Sequence, residues 1–178
     1  TFENVYTPTG RVQTVHAVAA LLTAAAVPPT FARAPIVFLG PIANEVDPQL
    51  VDLFSNSIVG IGPQGWMRRW NESGRVYQVD WGDSGRALPL AAVTFVSTED
   101  LPHQATVAEY ARLAPVLVVT EGSDGCTVFH RGEGRHFPTP KVQEVNTTGA
   151  GDIFAAAYLV RLLQTDGDIW EAAKFANR

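Results

Sequence analysis

"EVNTTGAGDIFAAAYL", residues 144–159, places Gly149, Ala150 and Gly151 directly before Asp152 and follows them with a long apolar stretch. The first N–H groups of a helix have no internal partner, and the helix dipole adds partial positive charge at that end. Glycine lets such a backbone close on a ligand without a Cβ in the way. Gly149, Ala150 and Gly151 would therefore present donors to an anion, best of all a phosphate, with Asp152 beside it in the first turn. The plain alternative is that Asn146, Thr147 or Thr148 caps the helix and Asp152 merely complements the dipole. A cap needs one polar residue, whereas here two glycines surround an alanine, and the string favours an anion site.

Upstream of this stretch, short apolar runs alternate with helical patterns. "IVFLG" (36–40), "SIVGIG" (57–62), "AVTFVS" (92–97) and "VLVVT" (116–120) read as strands. "PQLVDLFSN" (48–56) has helical spacing, and a helix is expected around 104–113. Continuous apolar runs separated by helices imply parallel strands buried on both faces, hence an α/β layered sheet with right-handed crossovers. Residues 1–15 read as a hairpin around a Pro-Thr-Gly turn. "GRVYQVDWG" (74–82) alternates like a half-exposed strand, and "GCTVFHRGEGRHFPTP" reads as a hairpin turning at Gly132–Gly134.

Two helices close the chain. The first, from about Gly149 to Gln164, is apolar nearly all round (Ile153, Phe154, Ala157, Tyr158, Val160, Leu162, Leu163), which predicts deep burial. The second has Asp168 at its N-cap and Glu171 three residues later, the spacing of a capping box, and is expected to be still running at Arg178.

The 178 residues suit one domain with a sizeable core, and 46% hydrophobic with 17% charged residues is an ordinary globular composition. A net charge of −5 argues against a nucleic-acid partner. A nucleotide remains open, because backbone N–H groups hold phosphate without net positive charge. The lone Cys126 excludes an internal disulfide and a Cys-based zinc site, and the four histidines lack metal-ligand spacing. No signal peptide is visible, and the Ala-rich run from His16 to Val27 is too short to span a bilayer, so a cytoplasmic protein without a membrane partner is expected.

Gly60-Ile-Gly62-Pro-Gln-Gly65 matches G-x-G-x-x-G after a strand, but no helix opens on its third glycine and Pro63 restricts the turn. A dinucleotide site is rejected, and no P-loop string is present.

"NTTGAGD" closely resembles the D-T-x-G-A-G-D signature of the ribokinase-like, PfkB-type carbohydrate kinases. "VVTEGSDGCTVF" looks like the family's V-T-x-G-x-x-G strand-turn-strand, with Thr120, Gly122 and Gly125 matching. "VSTEDL" sits where the family has N-x-x-E, and "AAKFAN" looks like its last nucleotide-facing helix. The resemblance covers roughly residues 35–178, and the 1–15 hairpin fits the family's β lid. "TFENVYTPTGRVQ", "PQGWMRRW" and "STEDL" look like the branch similar to myo-inositol kinase.

The resemblance implies an ATP- and Mg²⁺-dependent kinase acting on a hydroxyl of a sugar, cyclitol or nucleoside, with a homodimer formed through the lid. Asp152 falls on the catalytic base and Gly149, Ala150 and Gly151 on the anion hole. Thr120, Gly122, Ser123 and Gly125 fall on the nucleotide site, with Asn177 near the adenine. Ser97 and Asp100 replace the Asn and Glu that act on Mg²⁺ through water, with Glu99 a competing acid. Ser97 also reads simply as an N-cap. Asn146 replaces the acid of the signature, so a monovalent-cation site built with Thr148 lacks its charged ligand and little K⁺ dependence is expected. The family's first strands, its Gly-Gly substrate loop and its sugar-binding acid would precede the lid. Residues 1–178 are therefore expected to form a single, incomplete kinase domain, with the lid-like hairpin at 1–15 and the nucleotide-binding α/β portion at 35–178. Two other readings stand beside the kinase: a catalytically incomplete nucleotide-binding fragment, and a non-enzymatic α/β interaction domain.

Overall fold

The computed structural model describes residues 1–7, 10–141 and 148–178. Asn146 lies outside the described residues. The chain opens with an antiparallel hairpin, β1 (Phe2–Thr7) and β2 (Gly10–Val15), in register from Phe2↔Val15 to Thr7↔Gly10. The apolar runs then become β3 (Ile36–Leu39), β4 (Ile58–Ile61), β7 (Val93–Ser97) and β8 (Leu117–Thr120). Between them, β5 (Arg68–Trp70) and β6 (Val76–Gln78) form a second small antiparallel ribbon. After β8 come β9 (Cys126–His130) and β10 (Glu133–Phe137), joined by a turn at Arg131 and Gly132, both with positive φ.

The main sheet has the order β10-β9-β8-β7-β4-β3. The pairs β3–β4, β4–β7 and β7–β8 are parallel, while β9 and β10 continue the sheet antiparallel. Four parallel strands without a solvent face need cover on both sides, and the chain supplies it. Along β7 and β8 successive side chains point to opposite faces. Val93, Phe95 and Val118 join one half of the core with Tyr158 and Leu159, and Val96, Leu117 and Val119 join the other with Trp66, Trp81, Leu88 and Tyr110.

Helices α3 (Ala150–Gln164) and α4 (Ile169–Ala176) cover the first face. The short α1 (Ser84–Ala87), α2 (Ala105–Leu113) and the 3-10 turns cover the second. The helical spacing at 48–56 resolves into one of these, the 3-10 helix Pro48–Phe54, capped by the Asp47 side chain. The N-cap Asp168 accepts from the N–H groups of Trp170 and Glu171 at 3.0 Å each. Helix α4 ends at Ala176, capped by Asn177, and so stops short of the expected run to Arg178. No described helix is long and apolar enough to cross a membrane.

The deep burial expected all round α3 holds for one face. Ala155, Tyr158, Leu159 and Leu162 are buried, but Ile153 is 72% exposed, and Val160 and Leu163 are exposed as well. A helix lying on a sheet and against a single neighbouring helix has two contacts, and no described element covers its third side.

Two expectations follow from the packing. A Cβ on Gly65 would lie 2.4 Å from the Pro41 carbonyl and 2.6 Å from the Ile42 nitrogen, both backbone atoms that cannot swing aside. Gly65→Ala should cost about 1–3 kcal/mol by overpacking, seen as a lower urea midpoint at unchanged slope. Cys126 is fully buried, and burial pushes its thiol up to about 12. In the folded protein it should resist iodoacetamide at mildly alkaline pH, where only a thiolate reacts, and it should react once denatured.

Candidate active site

Each parallel strand ends at the same edge of the sheet, and that edge is where open α/β sheets bind ligands. Helix α3 opens there too, for a packing reason. Phe154, the fifth residue of the helix, meets Phe95 edge-on (ring centroids 6.3 Å apart). One turn later, Leu159 lies over Gly60, where a Cβ would come within 2.7 Å of Leu159 Cδ1. Gly60 is level with Val93, two residues before Phe95. The helix therefore runs against the strands and presents its N-terminus at their carboxyl ends.

The N-cap of α3 is Gly149, in the left-handed conformation (φ 81°, ψ 0°), with no side-chain capping bond. Only glycine takes that conformation without strain. A Cβ at Gly149 or Gly151 would meet nothing within 4 Å, so the space beside the first turn is open. Asp152 is exposed in that turn. The first N–H groups and one carboxylate thus face the same open approach.

At the end of β8, Thr120 Oγ1 donates to the Val96 carbonyl at 3.3 Å. Gly122, Ser123 and Asp124 make a single 3-10 turn closed by Gly125. Gly125 has φ 105° and ψ −132°, and a Cβ there would sit 2.1 Å from the Phe137 carbonyl oxygen. That same oxygen accepts from Asn177 Nδ2 at 2.6 Å, while Thr139 Oγ1 donates to the Asn177 carbonyl at 3.1 Å. The structure therefore brings the 122–125 turn and Asn177 together on the Phe137–Thr139 backbone. A groove of about 600 Å³ lies between β10 and α4, lined by Phe137, Trp170 and Lys174 among others but by neither the 122–125 turn nor Asn177, with the Arg135 guanidinium 4.1 Å from the Trp170 ring centre.

Ser97 Oγ accepts from the Glu99 N–H at 3.3 Å and so caps the 3-10 turn Thr98–Asp100. Asp100 is buried at 6% exposure with both oxygens engaged. Its Oδ1 accepts from Arg11 at 2.6 Å and from Arg68 at 3.3 Å, and its Oδ2 accepts from Gln64 Nε2. Arg68 is 3% exposed, and burial draws its guanidinium below the ordinary value while Asp100 acts in the opposite sense. Glu99, by contrast, has a side chain 68% exposed and only a 3.8 Å approach from Arg11. The sequence reading singled out neither Arg11, Arg68 nor Gln64. The one signal was the charged pair inside the apolar string "GWMRRW".

The comparisons with known proteins bear on these same elements. The model of the pfkB family of carbohydrate kinases matches residues 89–178, which holds β7, β8, the 122–125 turn and α3. The chain belongs to that family. Among curated relatives, inositol 3-kinase of Zea mays is 35% identical over 127 residues, covering 68% of this chain and 33% of that protein. Fructokinase-1 of Oryza sativa is 43% identical over 68 residues, 35% of this chain and 21% of that protein. The chain thus matches about a third or less of the length of these relatives. Among solved structures, a pyrophosphate-dependent kinase in the ribokinase family superposes with a TM-score of 0.82 at 22% identity, over 99% of this chain and 66% of that one. Ribokinase from Thermotoga maritima superposes with a TM-score of 0.61 over 83% of this chain and 49% of its own. The fold is ribokinase-like.

The two turn glycines differ in a testable way. Gly122 (φ 58°) has open space, and an L-residue there costs about 1–2 kcal/mol of left-handed strain. Gly125 adds a backbone clash to a conformation only glycine adopts. Gly125→Ala should lower the thermal midpoint clearly more than Gly122→Ala.

Proposed function

We propose that this chain carries the phosphoryl-donor and catalytic elements of a kinase that transfers a phosphoryl group to a hydroxyl of a cyclitol or small sugar. One observation carries the reading: the α3 N-terminus, with Gly149 left-handed and uncapped by a side chain, opens at the carboxyl edge with Asp152 in its first turn. In the proposed reaction the acceptor oxygen attacks the terminal phosphorus and the bond to the leaving phosphate oxygen breaks. The hydroxyl proton passes to the Asp152 carboxylate. The N–H groups of Gly149, Ala150 and Gly151 offset charge on the transferred group, since phosphoryl transfer is catalysed chiefly by positioning and charge stabilisation.

The proposed donor is ATP, held by Thr120, Gly122, Ser123 and Gly125 with its base toward Asn177. A curated relative, ATP-dependent ribose-1-phosphate kinase of Halopiger xanaduensis, is 35% identical over 122 residues and supports that choice. The convergence of Gly125 and Asn177 on Phe137 supports it too. Pyrophosphate is a second reading, favoured by the solved kinase at TM-score 0.82, whose donor is pyrophosphate.

The described residues contain no group of three or more His, Cys, Asp or Glu that could cage a metal ion. Mg²⁺ needs no such cage, because it keeps several waters and is carried by substrate phosphates with one or two carboxylates. The exposed carboxylates of Asp152 and Glu99 could join such an arrangement, whereas Ser97 already accepts from the Glu99 N–H and Asp100 from Arg11, Arg68 and Gln64; the ion would supply charge neutralisation on the phosphates. The inositol 3-kinase relative supports a cyclitol acceptor and the fructokinase a hexose.

In the whole kinase, Asp152→Asn should leave donor affinity within about twofold while kcat falls by about 10²–10⁴, the range for a general base. A group that acts only as the hydroxyl attacks shows in kcat rather than in ground-state binding. Calorimetric titration with ATP and with pyrophosphate, each with Mg²⁺, identifies the donor. Failure to bind either, or a kcat unchanged by Asp152→Asn, would remove the assignment.

A further inference from the structure

We propose that Asp100 is a positioning residue that holds the Phe2–Val15 hairpin over the carboxyl edge of the sheet. Its partner on the hairpin is Arg11, and its partners in the floor are Arg68 and Gln64. An isolated two-stranded hairpin is at best marginally stable in water, so its ties to the rest of the molecule decide where it lies. At its base the Val15 N–H donates to the Gly74 carbonyl at 2.8 Å, and Thr14 bridges to Arg75. Those bonds fasten one end and act as a hinge.

The angle at that hinge is set further along. Arg11, four residues along the hairpin from Val15, reaches Asp100 at 2.6 Å, while at the base itself, opposite Val15, the Phe2 ring lies over the Arg68 guanidinium, 4.9 Å from its carbon to the ring centre. Both contacts use the same buried ion cluster. Charged groups this far from water persist only when paired and hydrogen-bonded, and Asp100 accepts from three donors. Arg68 donates to the Ile42 carbonyl at 3.0 Å as well, while its buried Nε has no partner. Without the hairpin, the Asp100–Arg68 pair would lose Arg11 from one side and the Phe2 ring from the other. The cluster and the hairpin posture therefore depend on each other.

The chemistry of the neighbouring acids agrees. A carboxylate that orders water around a metal must offer free lone pairs to the site. Asp100 has given three N–H donors the use of its oxygens, whereas Glu99 extends into solvent. Of the two consecutive acids, Asp100 is engaged by the hairpin and its floor, while Glu99 keeps an exposed carboxylate.

Hydrogen exchange on residues 1–178 tests the anchoring without requiring catalysis. Arg11→Gln, at a partly exposed position where folding should survive, is expected to speed exchange of the paired hairpin amides at least tenfold. Amides of β7 and β8 should stay protected. Arg11→Lys, which keeps the charge, should restore part of the protection, and Asp100→Asn should match or exceed Arg11→Gln. Hairpin exchange unchanged in Arg11→Gln would overturn the proposal. So would an Asp100→Asn variant that loses Mn²⁺ affinity in the presence of ATP while its hairpin stays protected.

The consequence for the reaction rests on the kinase reading. In the whole enzyme Arg11→Gln should raise the acceptor KM several-fold with donor affinity unchanged. A whole protein without kinase activity would sink that reading alone, because the exchange result stands by itself.

Discussion

The arrangement of this molecule hangs on the ring of Phe95. Three aromatic side chains surround it: Phe38 from β3 at 6.0 Å, Phe154 at 6.3 Å and Tyr158 at 5.4 Å, all edge-on. Edge-to-face pairs add directional preference to the burial of large apolar area, so the cluster sets both the position and the direction of α3 on the sheet. The Tyr158 hydroxyl donates to the Ile169 carbonyl at 2.9 Å and carries the order on to α4. Arg161 and Glu171, 2.9 Å apart, close the same helix pair further along. One buried ring on the middle strand thus decides where the Gly-Ala-Gly-Asp string points and where Asn177 ends up.

Opposite uses of the carboxylate divide the carboxyl edge. Asp152 stands exposed at an uncapped helix start, free to meet a ligand. Asp100 is sunk among Arg11, Arg68 and Gln64, where its charge is spent on the protein's own architecture. A buried charge of this kind is weak support for stability, since its desolvation offsets much of the attraction. Its clearer effect is to fix a register, here the register of a two-stranded hairpin against the sheet. The exposed apolar side chains of α3, Ile153, Val160 and Leu163, lie on the side of the helix that neither the sheet nor α4 covers.

Much of the fold was legible because it rests on local pattern. Continuous apolar runs have no polar face to show water, so 36–40, 57–62, 92–97 and 116–120 read as strands buried on both faces. Asp168 announced its helix because a cap needs only the N–H groups two and three residues on, here those of Trp170 and Glu171. The 48–56 segment shows where the pattern stops: helical spacing cannot distinguish a 3-10 helix from an α-helix over seven residues. Helix α3 shows the other limit, since an apolar sequence says which residues can be buried but not which sides will be covered.

The sequence by itself determined which chemistry-bearing residues there are and their order along the chain. The glycines of the 122–125 turn, the Gly-Ala-Gly-Asp string and the neutral Asn146 are residue identities, and backbone conformation or charge follows from them directly. Only the tertiary structure decided which of those residues meet. Gly125 and Asn177 are 52 positions apart and converge on one carbonyl oxygen, that of Phe137. Arg11 and Asp100 are 89 positions apart and make the 2.6 Å pair that ties the hairpin down. Contacts across such separations carry no periodicity, because they arise from how whole elements pack rather than from the spacing of residues within one.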